Sequence, residues 1–99
     1  MSGPLHGLRI ADFIQLDQGP NATQQLADMG AEILKIEPLA GDWQRNWSLG
    51  DAWINGESVS FLAFNRGKRS IALNLKDPRG KEAALRIIKS CDVLLENFR

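Results

Sequence analysis

The chain has 99 residues, room for one small domain or for part of a larger one. Its 12 Lys plus Arg balance 12 Asp plus Glu, so no basic excess points to a nucleic acid, and the single cysteine and single histidine exclude an internal disulfide and any metal-ligand spacing. The N-terminal MSGPLHGLRI is too polar for a signal peptide and no segment approaches the roughly 20 apolar residues of a membrane span, which predicts a cytoplasmic protein without a membrane partner.

Taken in chain order, Leu8 to Ile14 (LRIADFI) reads as a first strand buried on both faces, with Asp12 satisfied by backbone donors. A loop, QLDQGP, leads to Pro20, which suits the first turn of a helix. Ala22, Leu26 and Met29 mark that helix's apolar face, Asp28 falls on its polar side, and Gly30 stands where a C-terminal glycine belongs. Ala31 to Glu37 (AEILKIE) is a second strand, ended by Pro38. A helix between two strands makes them parallel, so residues 8–37 form a βαβ unit.

Residues 38–57 form an irregular insert that carries three glycines and all three tryptophans. Trp43 and Trp47 are spaced to share one face of a helical turn, and tryptophans in such a segment are expected to pack onto a surface. Ser58 to Asn65 is a short helix with Val59, Leu62 and Ala63 on one side, and Ser70 to Lys76 a third strand. Asp77-Pro78 caps a second clear helix whose Ala84, Ile87, Ile88 and Cys91 share one face, with Cys91 packing as a small hydrophobe. Asp92 to Asn97 is a fourth strand. The order predicts α/β architecture with a parallel sheet. The helices give such a sheet thin cover, and the last residue lies just past a strand, so the chain is expected to be a piece of a larger fold or to be completed by a partner.

Ligands of open α/β sheets bind beyond the carboxyl ends of the strands. That rule selects residues 15–20, 37–42, 76–77 and 97–99. The helix starting at Pro20 offers free N–H groups, and Gly19 permits close approach. QLDQGPNATQQ has one glycine where a dinucleotide fingerprint needs three, which disfavours NAD. Glu37 occupies the position where such folds hold a ribose, although a solvated charge is the commoner reading. No nucleophile–base pair emerges. Asp17 alone among the early aspartates sits in the presumptive crevice, where a turn-forming role is usual. Arg66, Lys68 and Arg69 lie at the opposite end, entering the third strand, either to cap carbonyls and pair with carboxylates or to meet an anion.

The segments PLHGLRIADF, QGPNATQQLADMGAEILKIEPLAGDWQR, SFLAFNRGKRSIALNLKDPRGKEA and DVLLENFR together resemble the N-terminal part of a class III coenzyme A transferase. This is the family of formyl-CoA transferase, the carnitine CoA-transferases and the related acyl-CoA racemases. The resemblance runs from Pro4 to Arg99 and rests on GP-x-AT, L-A-D-x-G-A, GD-x-x-R, N-R-x-K-R-S-I and ENFR in that order. It implies a Rossmann-like domain, here incomplete, within an intertwined homodimer. It implies transfer of coenzyme A from an acyl-CoA to a carboxylic acid, through an aspartate that lies past the ENFR motif, so none of the aspartates here inherits that role. The Trp-rich insert and ENFR look more like the transferase branch than the racemase branch. The resemblance places CoA contacts at Asp17 and Gln18, at Leu73 and Lys76, and at Asn97 and Phe98. Two positions depart from the family pattern: Asp17 replaces a usually uncharged residue, and Pro38 stands where some relatives carry a phosphate-binding arginine. The remaining readings are a stand-alone CoA- or nucleotide-binding module and an inactive truncation.

Overall fold

A computed structural model describes residues 3–15 and 18–98; for Gln18 and Gly19 it describes the backbone alone. Its centre is a parallel sheet of four strands, β1 (Arg9–Asp12), β2 (Glu32–Glu37), β5 (Arg69–Ala72) and β6 (Val93–Leu95), in the order β5-β2-β1-β6. The chain runs outward from β1 to β2 and β5, then returns past β1 to β6, so the order reverses between β1 and β6. Crevices form at such a reversal. The α/β class and the parallel sheet are those expected from the sequence.

Helix α1 (Gln18–Asp28) links β1 to β2 and lies on the face that carries Ile10 and Ile33, packing Leu26 and Ala27 against them. It starts two residues earlier than expected. Pro20 is still within the first turn, where amides have no intrahelical acceptor. The expected apolar face is corrected: Ala22 and Met29 are exposed, and Thr23 and Gln24 are buried. The sheet below them is polar, and Thr23 Oγ1 donates to Asp12 Oδ2 at 2.8 Å while Gln24 Oε1 accepts from Arg66 N at 3.1 Å. Gly30 ends the helix as expected, with φ +102° and the paired bonds Gly30 N to Ala27 O and Ala31 N to Leu26 O.

Residues 38–57 are more ordered than their composition suggests. Two 3-10 turns, Trp43–Asn46 and Leu49–Asp51, precede a hairpin of β3 (Trp53–Ile54) and β4 (Glu57–Ser58). The hairpin turns on Asn55-Gly56, both at positive φ, a two-residue signal that was present in the sequence. Trp43 and Trp47 stand with ring centroids 5.9 Å apart, and all three tryptophans remain part-exposed. Helix α2 (Val59–Asn65) starts from a Ser58 cap. It buries Ser60, Phe61 and Asn65, the side opposite the expected Leu62 and Ala63. Its neighbours explain the reversal: Ser60 bonds Ser48 and Leu49, and the Phe61 ring lies 4.0 Å from the Arg45 guanidinium carbon.

The other sheet face is apolar. Helix α3 (Pro78–Lys89) is capped by Asp77, which accepts from Arg79 N, and it sets Ala84, Ile87 and Ile88, followed by Cys91, against Ala11, Phe13, Ile36 and Leu73. That periodicity is as expected. The strands are shorter than expected. β1 stops at Asp12 because Ile14 N and O turn away to Asp12 Oδ1 and Lys35 Nζ, each at 3.0 Å. β5 stops at Ala72, and after one further bond, Leu73 N to Glu37 O, the Asn74 turn takes over through Lys76 N and Asp77 N. β6 likewise stops at Leu95.

Candidate functional site

A cavity of about 330 Å³ opens at the carboxyl ends of the strands, within the range of ligand pockets. Phe13, Ile36, Leu73 and Leu75 give it apolar walls, Gln15 and Asn74 polar ones, and Lys76 and Phe98 stand on its lining. Four elements converge there because parallel strands end at one level and each then turns outward. Leu73 and Phe13 continue the apolar face of the sheet, so the floor is the same surface that packs under α3.

The expected site residues fall as follows. Leu73, Lys76 and Phe98 share this cavity. The Phe98 ring meets Phe13 edge-on at 5.8 Å and is otherwise 58% exposed. Lys76 belongs to the turn after β5 rather than to the strand, and makes no ion pair among the described residues. Asn97 stands beside the cavity, its Nδ2 donating to Gln15 O at 3.2 Å and its Oδ1 accepting from Gln15 N at 3.4 Å. It thereby bridges the exits of β1 and β6. Gln18 opens α1, its side chain outside the description, and Asp17 lies outside the described residues.

Glu37, at the end of β2, corrects the expectation of a solvated charge or a ribose acceptor. Its side chain is 3% exposed and its acceptors are occupied. Arg45 Nε and NH2 reach its two oxygens at 2.6 and 2.8 Å, Asp42 N donates at 2.7 Å, and the Ser70 hydroxyl donates as well. Burial works to raise this carboxyl, but the Arg45, Asp42 and Ser70 bonds outweigh it and hold the pKa at about 2. Gly41 allows the arrangement: at φ +85° a Cβ there would come within 2.8 Å of Arg45 Cδ. Beside it, Lys35 Nζ pairs with Asp42 Oδ2 at 2.9 Å, both side chains almost fully buried. The GD-x-x-R run therefore closes over β2 and anchors the insert to the sheet.

The cations at the entry of β5 are all engaged. Arg66 pairs with Asp28 at 2.9 Å and Arg69 with Glu32 at 3.1 Å, while Lys68 turns inward to Pro20 O and Asn65 Oδ1. They cap carbonyls and pair with carboxylates, as the first of the two sequence readings had it. Sequence reasoning missed Phe13 and Ile36 as cavity residues. The strand-end rule covered Gln15, but a two-residue overshoot in the length of β1 hid the turn that aims it.

The fold and crevice define a parallel α/β protein with a cavity at its strand ends. Residues 5–99 match CoA-transferase family III, and the chain belongs to that family. It is 48% identical over 96 residues to succinyl-CoA:glutarate CoA-transferase from Mus musculus, covering 96% of this chain and 22% of that protein. It is also 48% identical over 99 residues to formyl-CoA:oxalate CoA-transferase from Rhodopseudomonas palustris, covering 99% of this chain and 23% of that one. Among solved structures, a CAIB/BAIF family protein from Brucella suis superposes with TM-score 0.90 at 35% identity, over 99% of this chain and 26% of that one. The chain thus spans about a quarter of the length of these relatives.

Proposed function

We propose that this chain supplies the coenzyme A crevice of a CoA-transferase that moves CoA from an acyl-CoA to a carboxylic acid. The observation that carries the reading is the meeting of Leu73, Lys76 and Phe98 at one strand-end cavity in a chain of this family. The donor set suits the three parts of CoA. The Lys76 ammonium supplies charge for phosphate, the Phe98 ring an open face for adenine, and Ile36, Leu73 and Leu75 an apolar floor for the pantetheine arm. Asn97 fixes Gln15 at the rim, and the family resemblance adds Asp17 and Gln18 as contacts for CoA. No aspartate of this chain attacks the thioester. Asp12 and Asp42 are buried in bonds to their neighbours, and Asp28 pairs on the outside of α1. The nucleophile belongs to other polypeptide, and the working enzyme is a cytoplasmic homodimer. The activities named for the relatives favour transfer over racemisation.

Titration calorimetry of the chain with CoA tests this. Saturable binding that weakens at least several-fold in Lys76→Met and falls with added salt supports the reading. Absence of binding, or binding indifferent to both Lys76 and salt, overturns it. Mixed with succinyl-CoA and a dicarboxylic acid, the chain alone is expected to transfer no CoA; turnover would show that the chemistry resides here.

A further inference from the structure

The cation motif at the entry of β5 has three charges and two fates. Arg66 and Arg69 lie along the outside, their side chains 63% and 77% exposed. The Lys68 side chain is 1% exposed. Its Nζ donates to Pro20 O and to Asn65 Oδ1, each at 3.0 Å, and stands 3.5 Å from Asp12 Oδ2. These partners come from the first turn of α1, the last residue of α2 and the last residue of β1. An ammonium has three donors, and burying one is costly unless they are used.

What the cluster holds lies next to the crevice. Asp12 Oδ1 takes the Ile14 amide and Lys35 Nζ takes the Ile14 carbonyl, so both polar groups of that residue are fixed from below. The next residue is Gln15, which lines the cavity and is gripped by Asn97. Lys68 itself is not part of the lining.

We propose that Lys68 is a positioning residue for the crevice, tying the first turn of α1 to the end of β1 through Pro20 and Asp12 and so presetting Ile14 and Gln15 for the ligand. The inference rests on the coenzyme A reading above. Burial lowers the Lys68 pKa to about 8; the charged groups facing it are Asp12 and Asp42, which act to raise it, and Lys35, which acts to lower it. Its charge is therefore lost just above neutrality. A neutral amine keeps its bonds to Pro20 and Asn65 but loses the attraction to Asp12.

The test is acetyl-CoA binding by calorimetry between pH 7 and 9.5; its acylated sulfur leaves no thiol to titrate. At pH 7, Lys68→Met is expected to bind roughly tenfold more weakly, the equivalent of one charge-assisted bond. Arg66→Gln and Arg69→Gln are expected to bind within about twofold of wild type, because their charges pair on the surface. Wild-type affinity is expected to fall as pH rises through about 8, and the variant's to stay flat. If Lys68→Met does not fold, Asp12→Asn/Lys68→Met, which removes both buried charges, takes its place and is expected to show the same loss. Equal loss in all three single variants, unchanged affinity without Lys68, or a flat wild-type profile would overturn the inference. Absence of wild-type binding would instead overturn the coenzyme A reading, and the inference with it.

Discussion

On one side of the sheet, Ala11, Phe13 and Ile36 meet Ala84, Ile87 and Ile88 of α3 in an apolar cluster. On the other, Ile10 and Ile33 meet α1 over the first half of the strands, but Asp12, Lys35, Glu37 and Ser70 occupy the second half. The register sets these last residues in adjacent rows, Asp12 opposite Lys35 and Lys35 opposite Ser70. The apolar face is held by area, which is non-directional and tolerant of small shifts. The polar half is held by bonds of fixed geometry to Asp42, Arg45, Thr23 and Lys68. Its charges gain little net stability over an apolar packing of the same shape, but they specify where each chain segment must sit. That half lies directly behind the exits of β1 and β2, where position counts for most.

The sharpest break of this comparison is Arg45→Met. It leaves the Glu37 carboxylate buried without its cation, and the expected loss is about 3 kcal/mol, the low end for a broken buried pair because the guanidinium is part-exposed. Urea titration at pH 7 reads it. The wild type should also show an acid signature. The Glu37 pKa is lowered in the fold from 4.5 to about 2, so its contribution is present above pH 4.5 and is lost as pH falls toward 2. In Arg45→Met the Asp42 and Ser70 bonds remain but the guanidinium is gone, so the carboxyl is held down less and the stability lost between pH 4.5 and 2 should be smaller. A variant with an unchanged acid profile would assign the stability to other groups. On the apolar face, Ala84→Leu forces extra carbon into a residue that is 3% exposed. It is expected to cost about 2 kcal/mol by overpacking, with the pH dependence of the wild type intact.

The same division decides what could be read from the sequence. The α3 face, its Asp77-Pro78 start and the Gly30 stop were legible because each depends on residues within a turn or two of one another. The α1 face was not. Apolar spacing assumes an apolar partner, and Thr23 and Gln24 instead turn toward Asp12 and the Arg66 amide, which are distant in sequence. Lys35 in AEILKIE puts a charge inside a mostly apolar strand. It is buried because Asp42 folds back to meet it, and nothing within the strand announces that. The ends of β1 and β5 were overrun for a related reason: Ile14 and Asn74 leave the ladder for side-chain partners that propensity does not see. For the crevice, the strand-end rule and the family resemblance brought Leu73, Lys76 and Phe98 to one place and the rule also reached Gln15, while Phe13 and Ile36 lay inside the expected strands and outside the rule.

The smallest expected effect is at the outer margin of the apolar face. Leu85 on α3 and Leu94 on β6 are each about half exposed, and β6 is an edge of the described sheet. If area alone holds this face, a residue that buries only half its surface contributes little, and Leu94→Glu should change stability by no more than about 0.5 kcal/mol. The added carboxylate should nevertheless lower the fluorescence of an apolar-surface dye and reduce self-association, because a charge interrupts both the patch and the open strand edge. A loss above about 1.5 kcal/mol would show instead that Leu94 packs as a core residue. The margin would then have to be grouped with Ala11 and Phe13, and the contrast between the two faces would extend to the sheet's edge.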